Sequence, residues 1–273
     1  MNAFDQMLSK YEIKTQDQYK NALHEVMQQI AIAGLYRGGF FDKAAFYGGT
    51  CLRIFHSSQR FSEDLDFSLL NNEINFSLES YFKAIIIEFE ALGRKVEVTK
   101  KEKTNNTKVE SAFLKENTEF YDIKFTTDKT IKIKIEVDIN PPPGFSTEQR
   151  LLLQPFSFMT RCYTLPDLYA GKMHALLFRK WGNRVKGRDW FDFEWYIKSS
   201  IRLNFEHFNE RVKQFNGRDM SKSDFINALK ERLAKTDINM VKKDVLPFTK
   251  NPKDLDIWSN DYFLKLSELL VYQ

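Results

Sequence analysis

Ten residues near the middle of the chain, Ile131 to Asn140 (IKIKIEVDIN), alternate strictly between aliphatic and polar side chains. A period of two is that of a β-strand, so Ile131, Ile133, Ile135, Val137 and Ile139 share one face, and Lys132, Lys134, Glu136 and Asp138 share the other. The aliphatic face demands a covering layer, and the polar face is left for water or for chemistry. The chain is therefore expected to build at least one half-buried sheet. PPPG at Pro141 to Gly144 follows at once; proline cannot continue a ladder, so the first sheet-bearing part is expected to end there.

Ahead of that strand the pattern mixes helices and strands. Leu23, Val26, Met27, Ile30 and Leu35 recur at helical spacing between about Tyr19 and Tyr36, and RGGF stops that helix. A turn at Gly48-Gly49 precedes a short helix from Thr50 to about His56, and DLDFSLL then alternates as a strand. LESYFKAIIIEFEAL, Leu78 to Leu92, is helical and is closed by Gly93. Strands are expected near Lys95 to Lys100, Val109 to Leu114 and Glu119 to Thr126, with KTNNT as a turn. Beyond Gly144 helices dominate: TLPDLYAGKMHALLFRK with proline and aspartate in its first turn, RDWFDFEWYIKS, Lys222 to Leu233 and Asp261 to Tyr272. Strands first and helices afterwards predict an α+β fold with a mixed sheet flanked by helices and a mainly helical C-terminal part, divided as 1–145 and 146–273.

The 273 residues include 25 phenylalanines, enough apolar mass for a core without covalent staples. The net charge of +4 is compatible with a nucleic-acid or nucleotide partner without requiring one. Cys51 and Cys162 lie far apart without metal-ligand spacing, which fits a reducing cytoplasm. The opening MNAFDQMLSK has no basic segment leading into an apolar run, and no apolar stretch is long enough to cross a bilayer, so a soluble cytoplasmic protein without a membrane partner is expected.

The stretch FYGGTCLRIFHSSQRFSEDLDF, Phe46 to Phe67, carries the chemistry. Asp64 and Asp66 project to one face of a strand, where like charges repel unless a divalent cation sits between them; hard oxygen donors suit Mg²⁺, with Mn²⁺ as an alternative. A third carboxylate from a neighbouring strand completes a metal site, and Asp138 is the expected one, with Glu63 and Glu136 read as solvent-facing acids. On their own Asp64 and Asp66 also fit an exposed edge strand. At Gly48, Gly49 and Thr50 the backbone amides, the helix start and the Thr50 hydroxyl suit a triphosphate, although a Gly-Gly pair alone is more often an ordinary turn.

Taken together, YGG, a spacer of fourteen residues from Thr50 to Glu63, and DLDF resemble the signature of polymerase-beta-type nucleotidyltransferases, the spacer being slightly long for that superfamily. The fuller GGTCLRIF…RFSEDLDFSL is similar to the AbiEii/AbiGii toxins of toxin–antitoxin and abortive-infection systems, as are a lysine-bearing helix, DLYAGKMHALLFR with Lys172, and an RD-x-x-D helix, RDWFD with Arg188, Asp189 and Asp192. The resemblance runs from about Phe46 to Tyr196. It implies a nucleotidyltransferase core over 1–145, Mg²⁺ on Asp64, Asp66 and Asp138, and an NTP held by Gly48, Gly49, Thr50 and Lys172. It implies transfer of NMP from NTP to an RNA acceptor, with the tRNA 3′ end as leading candidate, and a separately encoded cognate antitoxin as partner. Ser62, two residues before Asp64, matches the family's active serine. The alternatives are a protein acceptor, or an NTP-binding module without turnover.

Other roles stay open on the residues. Lys172 and Arg179 share a helix face with Ala175 and Leu176, so Lys172 is either an anion-seeking lysine or a snorkelling one. Arg53 either reaches a phosphate or pairs with Asp64 or Asp66. Of Asp189 and Asp192, which also share a face, one orients Lys172 or approaches the reacting hydroxyl, as the resemblance implies, and Asp189 is preferred; the other pairs with Arg188 or caps its helix. The basic stretch RKWGNRVKGRD around Trp181 either binds an RNA backbone or is a solvated loop. His24, His56, His174 and His207 lack ligand spacing.

Overall fold

Alternation at Asp64–Leu69 and Lys132–Asp138 becomes two adjacent strands of one seven-stranded sheet in the computed structural model, which describes residues 2–100, 118–126, 132–179 and 185–273. The chain forms two units: Met1–Ser57, Phe61–Pro141 and Thr147–Cys162 in one, and Ser58–Arg60, Pro142–Ser146 and Tyr163–Gln273 in the other.

In the first unit, α1 (Ala3–Leu8) and α2 (Gln16–Arg37) precede β1 (Ala44–Tyr47), α3 (Gly48–Phe55), β2 (Asp64–Leu69), α4 (Glu79–Ala91), β3 (Val96–Lys100), β4 (Thr118–Phe125), β5 (Lys132–Asp138), β6 (Thr147–Leu152) and β7 (Phe158–Tyr163). The sheet order is β3-β4-β5-β2-β1-β7-β6. Pairing of β2 with β5 and of β1 with β7 is parallel, and β1–β2, β3–β4 and β4–β5 are antiparallel, so the sheet is mixed as expected. Ile133, Ile135 and Val137 are fully buried from one face, as are Leu65 and Phe67 of β2. Phe67 packs against Phe40 and Phe46 with ring centroids 5.0 Å apart in each pair.

Helix α2 begins at a capping box of Thr15 and Gln18. It crosses α4 at Gly34, where an added Cβ would lie 2.6 Å from the Ile85 Cα. Only glycine lets the two backbones approach so closely. Gly93, at φ +72°, ends α4 where the sequence predicts.

One expectation is corrected. The sheet does not end at Pro141 to Gly144, because β6 and β7 lie beyond that segment and extend it past β1. Their strands (TEQRLL and FMTRCY) mix polar and apolar residues on both faces, and so carry little periodic signal. The strand expected at Val109 to Leu114, the KTNNT turn and Ile131 lie outside the described residues.

The second unit is helical: α5 (Leu165–Phe178), α6 (Gly187–Lys198), α7 (Phe205–Asn216), α8 (Lys222–Lys235), α9 (Ile238–Val245) and α10 (Asn260–Glu268). Tyr169 of α5 stacks on Tyr196 of α6 at 4.2 Å, and Trp190 packs edge-on to Phe263 of α10 at 4.8 Å. No helix among the described residues is long and apolar enough to cross a membrane.

Replacing Gly34 by alanine forces α2 and α4 apart. Urea denaturation of the Gly34→Ala variant should show a loss of about 1–3 kcal/mol; an unchanged midpoint would mean the two helices are not in contact there.

Candidate active site: an acid face and a lysine–aspartate cluster

Register decides what stands beside the paired aspartates. Along the parallel β2–β5 pair, Asp64 lies opposite Lys134, Asp66 opposite Glu136, and Ser68 opposite Asp138. Adjacent strands sit about 4.8 Å apart, so directly opposite side chains are nearest neighbours, and those two residues further on are within reach only of long side chains. The neighbour of Asp66 is therefore Glu136, which the sequence reading left to solvent. Asp138 is one step along, buried beside Ser68, and its Oδ1 accepts the Asn140 amide at 3.1 Å.

Backbone contacts fix the two aspartates in place. The Thr50 hydroxyl donates to the Asp64 carbonyl. Gln28 Nε2 donates to the carbonyls of Ser62 and Glu63, at 2.9 Å each, so α2 holds the run into β2. Gly48 has φ +81°, and an added Cβ would lie 2.1 Å from Asp66 Oδ2. The Gly-Gly turn and the Asp-x-Asp strand thus pack directly on each other, and any side chain at Gly48 would displace the Asp66 carboxylate. Thr50, expected as a phosphate ligand, is buried, with its hydroxyl proton committed to the backbone. The Tyr47 side chain does not cap α3, whose first amides carry the partial positive charge of a helix N-terminus.

The Arg53 Nε donates to Glu25 of α2 at 2.7 Å. Tyr11 joins the same carboxylate from the other side at 2.9 Å. The guanidinium lies 4.6 Å from the Phe61 ring. Glu25 and Gln28 escaped the sequence reading because a polar residue on a long helix gives no sign of what it faces.

The donor chemistry of this face fits a divalent cation. Asp64, Asp66 and Glu136 offer hard carboxylate oxygens from adjacent positions of paired strands. As the side chains stand, no three acids or other ligands among the described residues are gathered around one point, and Glu136 is ion-paired with Lys134.

The helical unit holds a second cluster. Lys172 of α5 lies 3.3 Å from Asp189 Oδ1 and 2.8 Å from Asp192 Oδ2, both on α6. Asp192 is gripped by Arg60, whose Nε and Nη2 donate to its two oxygens at 2.6 and 2.5 Å. Arg60 and Asp192 are almost wholly buried, so each charge depends on the other. Asp189 has no such clamp: its second oxygen lies 3.7 Å from Arg179. Burial would raise the Asp189 carboxyl, but Lys172, Arg179 and Lys186 outweigh it and hold it well below its usual range. Burial acts on Asp192 in the same way and is overcome by Arg60 and Lys172. Lys186, crowded by Arg179, is pulled down to about 8, chiefly by burial. Arg188 lies over the Phe248 ring at 4.0 Å. Lys180, Trp181 and Arg184 lie outside the described residues.

His174 and His207 are buried, bonded to Asn216 Oδ1 and the Pro143 carbonyl, and pushed down to about 3 mainly by burial. Cys51 and Cys162 are buried free thiols.

Arg60→Met should cost about 3–5 kcal/mol, because Asp192 is left charged and buried, and adding Asp192→Leu should recover most of that loss. Both aspartates titrate below their unfolded-state values, so their stabilisation is complete above about pH 4 and is lost as pH falls through the folded-state values. Urea melts across that range should show a shallower acid limb in the double variant than in wild type; identical limbs would mean the pair carries no such linkage.

Comparisons with known proteins place the chain in a family. A family model described as the nucleotidyl transferase AbiEii toxin of type IV toxin–antitoxin systems matches residues 30–265. Among curated proteins, none matches the sequence. MenT4, a nucleotidyltransferase toxin from Mycobacterium tuberculosis H37Rv, is 14% identical with a TM-score of 0.61, over 97% of this chain and 87% of that one. JHP933 from Helicobacter pylori is 18% identical with a TM-score of 0.51, over 94% and 91% of the two chains. At such identities the likeness to solved structures is one of fold. The family match spans most of the 273 residues, and the chain belongs to the AbiEii nucleotidyl transferase toxins of type IV toxin–antitoxin systems.

Proposed function

We propose that this nucleotidyltransferase is an Mg²⁺-dependent toxin that transfers NMP from an NTP to an RNA acceptor, with the tRNA 3′ end as its target and a cognate antitoxin as its partner. Nucleotidyltransferases of this kind use an NTP and a divalent metal. The observation that carries the reading is the β2–β5 register, which puts Asp64 and Asp66 beside Glu136 on one face with the Gly48 turn packed against Asp66. Asp64 and Asp66 would hold the metal, with Glu136 taking the third position first expected of Asp138; Mn²⁺ suits the same oxygens. When bound, the metal polarises phosphate oxygens and makes an attacking hydroxyl more acidic.

The chain's own groups supply the rest. The amides of Gly48 and Gly49 at the start of α3 bind phosphate oxygens, while Thr50 holds the Asp64 backbone in place. Ser62 leads into the aspartates on the carbonyls that Gln28 fixes. An acceptor hydroxyl forms a bond to the α-phosphorus, the bond to the bridging oxygen of the β-phosphate breaks, and pyrophosphate leaves. The hydroxyl proton passes to a carboxylate of the acid face. Lys172 answers the negative charge of the triphosphate, with Asp189 orienting its ammonium and Asp192 locked in place by Arg60. The RNA acceptor follows from the resemblance of the motifs, and a net charge of +4 favours approach of a polyanion.

Incubating the purified chain with each labelled NTP, Mg²⁺ and total RNA tests this directly. Label should enter tRNA, and Asp64→Ala or Lys172→Ala should lower transfer by about 100-fold or more. Label in protein alone, or NTP binding without transfer, would overturn the RNA reading, and intact transfer in either variant would overturn the site assignment.

A further inference from the structure

Three carboxylates on neighbouring positions of a sheet repel one another, and each half-buried charge seeks compensation. On this face a cation is already built in. Lys134 lies opposite Asp64 in the β2–β5 register and pairs with Glu136, two residues further along its own strand. Its ammonium is backed by the Phe120 ring at 4.6 Å. On the opposite flank stands Asp122 of β4, which lies across from Lys134 but takes the ammonium of Lys132 at 3.4 Å. That arrangement leaves the charge of Lys134 directed toward Glu136, Asp64 and Asp66.

We infer that Lys134 is a tethered counter-cation of the acid face, which neutralises Glu136 in the metal-free chain and must release it before a divalent cation takes that carboxylate. The inference rests on the metal reading given above. Its reversibility follows from exposure. The Lys134 and Glu136 side chains remain 31% and 26% accessible, so the ammonium can swing to water without breaking the core, whereas Arg60, at 2%, cannot. The lysine therefore acts on metal affinity twice. It stabilises the metal-free face, and it competes for one of the ligands. Removing its charge should weaken the first state and strengthen the second. Methionine keeps the unbranched stem against Phe120 while discarding the charge.

Calorimetric titration of the full-length chain with Mn²⁺, without nucleotide, tests the role in wild type, Lys134→Met and Lys134→Arg. Lys134→Met should bind Mn²⁺ about tenfold tighter. Its melting temperature in EDTA should be lower than wild type's and should rise more on adding Mn²⁺. Lys134→Arg, which keeps the charge, should stay near wild-type affinity. If Lys134→Met unfolds in EDTA and refolds with Mn²⁺, the counter-cation role is supported. Equal or weaker Mn²⁺ binding by Lys134→Met, or equal tightening in Lys134→Arg, would overturn that role while leaving the metal reading intact. A folded wild-type chain that binds no Mn²⁺ would overturn the metal reading itself, and the inference with it.

Discussion

Parallel pairing of β2 with β5 is the constraint on which the candidate chemistry of the sheet depends. Each strand buries an apolar row that includes Leu65, Phe67, Ile133, Ile135 and Val137, and this leaves the alternate residues of both strands on one common face. A one-residue slip would turn every aspartate into the core, so the hydrophobic rows hold the charged ones in place. Within that register the pairing Asp66 with Glu136 and Asp64 with Lys134 is forced. The acids are brought together by the burial of their neighbours, not by any attraction of their own, and Lys134 offsets the repulsion that results.

In the helical unit a buried ion-pair network has a comparable positioning role. Helix α6 is buried almost all round, so its acids must each find a partner: Asp192 takes Arg60, Glu194 takes Trp258 and Tyr262, and Asp189 shares Lys172. Arg60 and Asp192 stand 132 residues apart in the chain and meet at two points, while Asp192 also keeps Lys172 at 2.8 Å. That asymmetry separates two aspartates which a helical wheel treats as equivalent.

Much of the fold could be read from periodicity, because strands at Asp64–Leu69 and Lys132–Asp138 and helices such as Gly187–Lys198 write their buried faces into the sequence. The polar face of β5 was equally clear. Which of its acids meets Asp66 was not, since alternation gives parity along a strand and says nothing of the offset between strands. Thr50 and Arg53 show a second limit. A hydroxyl beside a glycine turn and an arginine on a short helix both resemble phosphate ligands in the sequence, which does not show that Thr50 also donates to the Asp64 carbonyl and Arg53 to Glu25. Strands β6 and β7 went unread because a triple proline suggested an end to the sheet and neither strand alternates cleanly.

The central claim, that the β2–β5 acid face is the metal site of a nucleotidyltransferase, is tested most directly by a crystal structure with Mn²⁺ and a non-hydrolysable NTP analogue. The account predicts an anomalous peak ligated by Asp64 and Asp66, with Glu136 turned toward it and Lys134 swung away. A peak ligated by Asp138 while Glu136 stays on Lys134, or nucleotide-bound Mn²⁺ without contact to Asp64 and Asp66, would contradict it.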